Sequence, residues 1–303
     1  MEELRSPDVY RAVLEKLQTG VYLIDREQRI HFWNDGAEHL TGYLRQDVVG
    51  RLLRSNILAL YNQDRTPAET ESELASVLRD GKTVDLDLTL MHKDGHRIPV
   101  RLRSVPIRDD RGLVVGAAEH FDESPAVANW DRRQTKLATF GCLDEPSGAL
   151  KRELVRTHVK EALETFSEHQ VPFGILCIQI DRMNQLRASY GAAILPEVVR
   201  VAAQTLENGL RPADSLGRWK EDAFLAVLQE CGASDVGRVA ERLRKLVCGS
   251  SARWWGDSVS LSASFGGAAA RPGDTLDTLI ARAEKAVEAG GESNGNKVTV
   301  LDP

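Results

Sequence analysis

Residues 217–228, GRWKEDAFLAVL, have the pattern of a strand, a tight turn and a second strand. The turn carries Lys220, Glu221 and Asp222, although such a turn usually requires glycine. Carboxylates in a turn are the ligands that divalent cations prefer, and neighbouring cations can hold phosphate. The same letters also fit a solvated hairpin anchored by a buried Phe224.

A second charged group lies just before this turn. Arg211 and Asp214 form an R-x-x-D sequence. A guanidinium group can bind phosphate or a guanine edge through paired hydrogen bonds, while a carboxylate accepts from N–H groups. A plain ion pair between the two residues explains the spacing as well.

The composition is that of a globular protein with room for two domains. The chain has 303 residues, of which 42% are hydrophobic and 28% charged, and its formal charge is -6. This balance gives no general basic surface for nucleic acid, and the polar N-terminus and lack of a long apolar run predict a cytoplasmic protein without a membrane span. The four cysteines, which lack C-x-x-C spacing, are expected to be free thiols: Cys142, Cys177, Cys231 and Cys248.

The first 122 residues predict an antiparallel sheet with small helices. Apolar residues at helical spacing predict a helix over 8–19 that stops before Gly20. Two short strands follow around residues 25–28, and a small helix ends at Gly42. Alternating residues over 84–122 predict three more strands, turned at 93–95 and at 109–112.

Four segments follow one another in this half of the chain: the strand pair, WNDGAEHLTGY, VVGR and HKDGHRIPV. In this order they resemble a PAS domain over residues 7–122. That resemblance implies an α+β fold and a sensory or dimerising role, with an unknown ligand. Five histidines could in principle ligate haem, although packing or surface roles are more usual: His31, His39, His92, His96 and His120. The absence of cysteine from residues 1–141 argues against cysteine-adduct flavin photochemistry.

The second half alternates helical and strand patterns, which predicts an α/β sheet flanked by helices. Residues 123–143 are interpreted as a linker helix. Beyond them lie four motifs: DEPSGALKR, RWKEDAF, SASFGGA and ARAEKAVEAGGESNGNKV. Together they resemble the GGDEF domain of diguanylate cyclases, which is predicted here over residues 144–303. That family condenses two GTP molecules with the help of two metal ions.

The resemblance implies which positions should bind metal, guanine and phosphate, and most of them have changed. Gln179 stands at a metal-binding aspartate, Asn184 at a lysine, Arg187 and Pro196 at the guanine-reading residues, and Gly291 and Gly295 at phosphate-binding cations. In the signature turn the two glycines of GGDEF become Lys220 and Glu221, the acidic pair becomes Asp222 and Ala223, and Phe224 remains. The catalytic site is therefore predicted to be degenerate, with no catalytic residue and no metal.

The resemblance also implies that one other site is retained. Arg211 and Asp214 have the spacing of the family's inhibitory site for cyclic di-GMP, and Arg242 falls where some members supply another arginine. We therefore expect a cyclic di-GMP receptor or a dimerising scaffold. The chain ends soon after the GGDEF-like segment, so its output is expected to pass through a partner cyclase, phosphodiesterase or other protein.

Two alternatives remain open from the sequence. One is an active diguanylate cyclase in which Glu221 and Asp222 hold Mg²⁺. The other is a partner-binding regulator that binds no nucleotide. A homodimer is also expected.

Overall fold

The computed structural model describes residues 6–53, 60–61, 75–123, 141–291 and 295–301. The chain divides into two compact units: residues 1–94 with 98–124, and residues 125–303 with 95–97. The linker helix expected over 123–143 falls almost entirely outside the described residues, so it stays a prediction.

The N-terminal unit is a six-stranded antiparallel sheet with small helices, in the strand order β2-β1-β6-β5-β4-β3. Its strands are β1 (Gly20–Asp25), β2 (Ile30–Trp33), β3 (Leu60–Tyr61), β4 (Val84–Met91), β5 (Arg97–Arg108) and β6 (Val114–Glu123). Its helices are α1 (Pro7–Lys16), α2 (Asp35–Thr41) and α3 (Arg45–Val48), and residues 75–80 are also helical. Gly42 ends α2 in the left-handed conformation, as its position in the sequence predicts.

The first helix ends earlier than the sequence predicted, at Lys16 rather than at residue 19, because Leu17 is already extended. Asn34 accounts for this ending. Its side-chain amide donates to the carbonyl oxygens of Leu14, Leu17 and Thr19, at 3.0, 3.3 and 2.9 Å. Because Asn34 supplies hydrogen-bond donors to these carbonyl oxygens, the helix does not have to continue for them to be paired.

The C-terminal unit is built on a five-stranded sheet in the order β13-β12-β7-β9-β8. Its strands are β7 (Phe173–Ile180), β8 (Ser215–Lys220), β9 (Ala223–Gln229), β12 (Ala263–Ala269) and β13 (Val298–Val300), and β10 (Ser251–Trp254) pairs with β11 (Asp257–Ser260) as a separate hairpin. The helices are α4 (Arg152–His169), α5 (Met183–Tyr190), α6 (Leu195–Gly209), α7 (Ala233–Gly249) and α8 (Leu276–Gly291), with a short 3₁₀ turn at Ala192–Ile194. Only β12 and β13 run parallel among these paired strands.

Helices cover both faces of this sheet. One face packs on α6 and α7 around Ile178 and Phe224, and the other packs on α4 and α8 around Ile175 and Leu225. The central strand β7 is therefore buried along its length except at Gln179. The apolar stretch at residues 259–268 does not form one strand but is split between β11 and β12.

The four cysteines are free thiols in the structure, as expected from their spacing. Burial raises the pKa of Cys177 to about 12, so this thiol is protonated at neutral pH. Among the described residues, no helix combines the length and apolar character needed to cross a membrane.

We expect Asn34→Ala to lower the free energy of unfolding of the N-terminal unit by at least about 3 kcal/mol. The buried Asn34 side chain also accepts from the backbone N–H groups of Val21 and Ala37, both at 2.8 Å, so truncation leaves buried donors and acceptors without partners. Urea unfolding of the full chain, followed by circular dichroism, measures this loss.

Asn34→Ser is the graded control, because serine can still cap α2 through the Ala37 N–H but cannot reach the carbonyl groups at the end of α1. We expect an intermediate loss for Asn34→Ser. Equal losses for both variants would show that the side-chain amide donor contributes nothing.

Candidate functional site

The signature turn lies at one end of the C-terminal sheet, between β8 and β9. Lys220 is the last residue of β8 and Ala223 the first of β9, so Glu221 and Asp222 form the turn itself. The Asp222 carbonyl oxygen accepts from the Ile180 N–H at 2.8 Å, which fixes the turn against the end of β7. Phe224 is fully buried behind it.

A β-bulge changes the direction of the side chains before this turn. The pairing of β8 with β9 shifts between Arg218 and Lys220, so Trp219 is the extra residue. Regular alternation would send Trp219 and Lys220 to opposite faces of the sheet. Instead, both side chains reach Glu284 on α8: the Trp219 indole N–H donates at 2.9 Å and the Lys220 ammonium lies at 2.7 Å.

Glu284 therefore holds the turn to α8 by a charge-assisted contact. Burial acts to raise the pKa of Glu284, but hydrogen bonds from Lys220 and Trp219 outweigh burial and the pKa lies below its ordinary value. The hydrogen bond to Glu284 raises the pKa of Lys220 in turn. Both groups are thus charged at neutral pH, and the positive charge of Lys220 is neutralised within the chain.

Glu221 is neutralised from the other side of the turn. Its carboxylate lies 2.6 Å from the guanidinium of Arg187 on α5, and its carbonyl oxygen accepts from Arg218. The resemblance places Arg187 at a guanine-reading position and Glu221 at a glycine. The two changed positions are therefore ion-paired with each other, across the space where the resemblance implies a nucleotide.

Gln179 and Asp222 form the third internal pair. The Gln179 amide nitrogen donates to the Asp222 carboxylate over 3.2 Å. A magnesium ion requires oxygen ligands that point toward it, whereas here an N–H group points at the carboxylate. Within the described part of the chain, no group of three or more His, Cys, Asp or Glu side chains is arranged to hold a metal ion. These residues do not fit the magnesium pair that the resemblance implies.

Asp181, two residues after Gln179, has a structural role. Its carboxylate accepts from the Ser264 hydroxyl at 2.7 Å and from the Asn296 backbone N–H at 2.8 Å. Gly295 has φ +69°, and a Cβ there would lie 2.6 Å from the Asp181 carboxyl carbon. The positive φ and the close approach of Asp181 therefore both favour glycine at 295. From the resemblance alone, this position was identified only as one where a phosphate-binding cation is missing.

The R-x-x-D residues occupy the turn between α6 and β8. Asp214 is buried, and its two carboxylate oxygens accept from the backbone N–H groups of Arg211, at 2.9 Å, and of Gln229, at 3.1 Å. In the described structure the Arg211 and Asp214 side chains do not form the ion pair that the spacing also allowed. Asp214 instead shapes the turn and ties it to the end of β9.

Arg242 on α7 completes this group. Its guanidinium donates to the Gly209 carbonyl oxygen at 2.8 Å. Burial lowers the pKa of Arg242, and the nearby positive charge of Arg211 lowers it further while Asp214 opposes the change. Burial likewise raises the pKa of Asp214, against the effect of its two backbone donors and both arginines. The three predicted residues thus lie near enough for the charges of Arg211 and Arg242 to act on the Asp214 carboxyl group.

Sequence reasoning did not identify Glu284, although this residue organises the signature turn. An acidic residue on an amphipathic helix gives no signal of its own, and the bulge that brings Trp219 and Lys220 to it cannot be read from alternation. From the sequence, Arg187 was identified only as a departure from the family's guanine-reading residue. Its ion pair with Glu221 was not predicted, because the two residues are 34 positions apart in sequence.

Two family models match the chain. The model described as "Diguanylate cyclase, GGDEF domain" matches residues 143–297, and a PAS domain model matches residues 18–123. Diguanylate cyclase DosC of Escherichia coli K12 is 25% identical over 157 residues, which is 52% of this chain and 34% of DosC. Response regulator PleD of Caulobacter vibrioides is 30% identical over 130 residues, covering 42% of this chain and 29% of PleD. This chain thus spans about a third of the length of these curated relatives.

Solved structures agree with these matches. Diguanylate cyclase SiaD of Pseudomonas aeruginosa, in complex with its activator SiaC, has a TM-score of 0.52 at 25% identity, over 57% of this chain and 68% of that chain. The GGDEF domain of DgcB from Caulobacter crescentus, in complex with c-di-GMP, has a TM-score of 0.51 at 19% identity, over 54% and 94%. At that identity, the DgcB match establishes the fold alone.

We expect Glu284→Ala to lower the free energy of unfolding of the C-terminal unit by roughly 1–3 kcal/mol, because the buried Trp219 indole N–H loses its acceptor. The lost stability should shrink as the pH falls through the folded pKa of Glu284, which is depressed, since the carboxylate contributes only while ionised. Thermal unfolding across acidic pH measures both effects.

Glu288→Ala is the matched control, because Glu288 is an exposed residue one turn further along the same helix. We expect a change within about 0.5 kcal/mol for this variant. Similar losses for Glu284→Ala and Glu288→Ala would contradict the role given to the contact with Trp219 and Lys220.

Proposed function

Because the chain belongs to the diguanylate cyclase GGDEF family and carries a PAS domain before its GGDEF domain, we propose that its GGDEF domain binds cyclic di-GMP without synthesising it. The chain is a PAS–GGDEF protein of cyclic di-GMP signalling. In this proposal it acts in the cytoplasm as a receptor, the PAS domain supplies the input, and a homodimer passes the signal to a partner protein.

The observation that carries the proposal is the convergence of Arg211, Asp214 and Arg242. Arg211 and Arg242 lie close enough for their charges to act on each other and on Asp214. Arg211 is exposed, and within the described structure its guanidinium has no ion-pair partner. The group therefore has an excess of positive charge that an anionic ligand can neutralise.

The chemistry of these side chains suits a cyclic dinucleotide. A guanidinium can donate two parallel hydrogen bonds to a phosphate or to the acceptor edge of guanine, and its flat face can stack on a base. An ionised carboxylate offers about four acceptor positions, and backbone N–H groups take only two of those on Asp214. The remaining positions can accept from guanine N–H groups.

The signature turn favours a receptor over an enzyme. Synthesis by this family joins two GTP molecules, and the alternative of an active cyclase needs Glu221 and Asp222 to hold metal ions. Glu221 is instead paired with Arg187, and Asp222 accepts from Gln179. Using these carboxylates for metal would first require breaking both contacts.

Isothermal titration of cyclic di-GMP into the nucleotide-free 303-residue protein tests the proposal. We expect saturable binding that weakens by roughly 10- to 100-fold in Arg211→Ala and in Arg242→Ala, because a charge-assisted hydrogen bond contributes about 1.5–3 kcal/mol. Binding should also weaken with added salt, since the site is partly exposed.

Arg238→Ala is the matched control. Arg238 lies one turn before Arg242 on α7, is exposed and pairs with Asp235, so its removal should leave the affinity unchanged. If the protein binds no cyclic di-GMP, or if all three arginine variants weaken binding equally, the assignment of the site is wrong. Absent binding would favour the alternative of a partner-binding regulator.

A turnover assay addresses synthesis separately. With GTP and Mg²⁺ we expect no cyclic di-GMP from the purified protein, and no difference between the wild-type chain and Asp222→Ala, because the turn carboxylates are held by Arg187 and Gln179. Product formation that Asp222→Ala abolishes would instead support the active-cyclase alternative.

A further inference from the structure

A row of polar side chains crosses the buried face of the N-terminal sheet. Glu119 on β6 lies directly opposite Tyr22 on β1 and opposite Ser104 on β5. All three residues have no exposed surface. The Tyr22 hydroxyl donates to one Glu119 oxygen, and the Ser104 hydroxyl donates to the other at 3.1 Å.

The surroundings of this row are apolar. The Tyr22 ring lies 5.4 Å from the Trp33 ring and 6.0 Å from the Phe121 ring, measured between centroids. Leu102 and Ala117, the residues two positions from Ser104 and Glu119 on the same face of their strands, are fully buried. The Glu119 carboxyl group is therefore fully buried, and its hydrogen-bond partners are two neutral hydroxyl groups.

The charged side chains that the structure describes on the elements packed around Glu119 do not pair with it. Arg101 and Arg103 of β5 pair with Asp87 and Asp85 on the exposed face of the sheet, and His31 of β2 pairs with Asp25 of β1. Arg97 and Arg108 lie at the two ends of β5, and Arg108 donates to the carbonyl oxygens of Gly81 and Gly112. Further titratable residues of these strands and of α2 are exposed, half-buried or bound to other partners: Asp35, Glu38, His39, His120 and Asp122. Tyr22 is the one titratable group, among described residues, that influences Glu119.

Physical chemistry then decides which form of Glu119 is stable. Burial raises the pKa of Glu119, and the hydrogen bonds from Tyr22 and Ser104 act in the opposite direction without cancelling it. Burial also raises the pKa of Tyr22 far above its ordinary value, so this phenol stays neutral. The folded unit therefore holds a proton on Glu119 at a pH where an exposed glutamate would have lost it.

We propose that Glu119 is a proton-linked switch in the PAS domain: the sheet is tightly packed while Glu119 is neutral, and β1, β5 and β6 loosen when its proton passes to solvent. An ionised carboxylate without a counter-charge must recruit water, and the strands on either side of it have to separate to admit that water. This role is independent of nucleotide binding by the other domain.

The direction of the pH dependence follows from linkage. A group whose pKa is raised by folding contributes stability that is complete below its unfolded pKa, near 4.5 for glutamate, and that disappears as the pH rises through the folded pKa. The N-terminal unit should therefore loosen with increasing pH, and replacement of Glu119 by a group that cannot ionise should remove this dependence.

Hydrogen–deuterium exchange of the full chain, measured by mass spectrometry from pH 5 to pH 9 or thereabouts, compares the wild type with Glu119→Gln. Dividing the two rates at each pH cancels the intrinsic pH dependence of exchange. For peptides of β1, β5 and β6, we expect the ratio of the wild-type exchange rate to the Glu119→Gln exchange rate to be constant at low pH and to rise several-fold at higher pH. Peptides of the C-terminal sheet should keep a constant ratio and serve as the internal control.

Tyr22→Phe and Ser104→Ala separate a switch from a merely structural residue. Each variant removes a donor that favours the ionised carboxylate, so the rise in exchange should move to higher pH than in the wild type. These variants also provide the test if Glu119→Gln does not fold. A ratio that is constant over the whole pH range, or a rise whose midpoint neither variant moves, would overturn the proposal.

Discussion

Charges gathered at one end of a sheet must be neutralised, and at the signature turn the chain does this with its own residues. Lys220 is paired with Glu284, Glu221 with Arg187, and Asp222 accepts from Gln179. A nucleotide with its metal ions would otherwise supply such partners. Because each pair joins the turn to a different element, namely α8, α5 and β7, the turn is held in place without any ligand.

The R-x-x-D group presents the opposite situation. Arg211 and Arg242 act on a single buried carboxylate, and the backbone already occupies part of that carboxylate. Positive charge remains in excess there, whereas it is balanced at the turn. Two sites separated by only one strand, β8, thus differ in the property that matters for binding an anion, and this contrast is the physical basis of the receptor proposal.

Much of the fold could be predicted from the sequence, because alternation and turn residues act locally. The hairpins at 93–95 and 109–112, the end of α2 at Gly42 and the placement of β8 and β9 all follow from such signals. The rest depends on distant residues. Asn34 decides where α1 ends, the bulge at Trp219 sets the partner of Lys220, and Asp181 explains Gly295. The boundaries proposed for the two domains and for the linker stay predictions.

The changed positions also explain how such a domain keeps its fold. The core residues lie along β7, β9 and the helices on both faces, while Gln179, Glu221 and Arg187 are exposed at the end of the sheet. Exposed ion pairs contribute at most about 1 kcal/mol each, whereas a core side chain contributes more than that by burial alone. Substitutions at the sheet end therefore cost the fold little. Changes at the turn therefore need not alter the scaffold that positions Arg211 and Asp214.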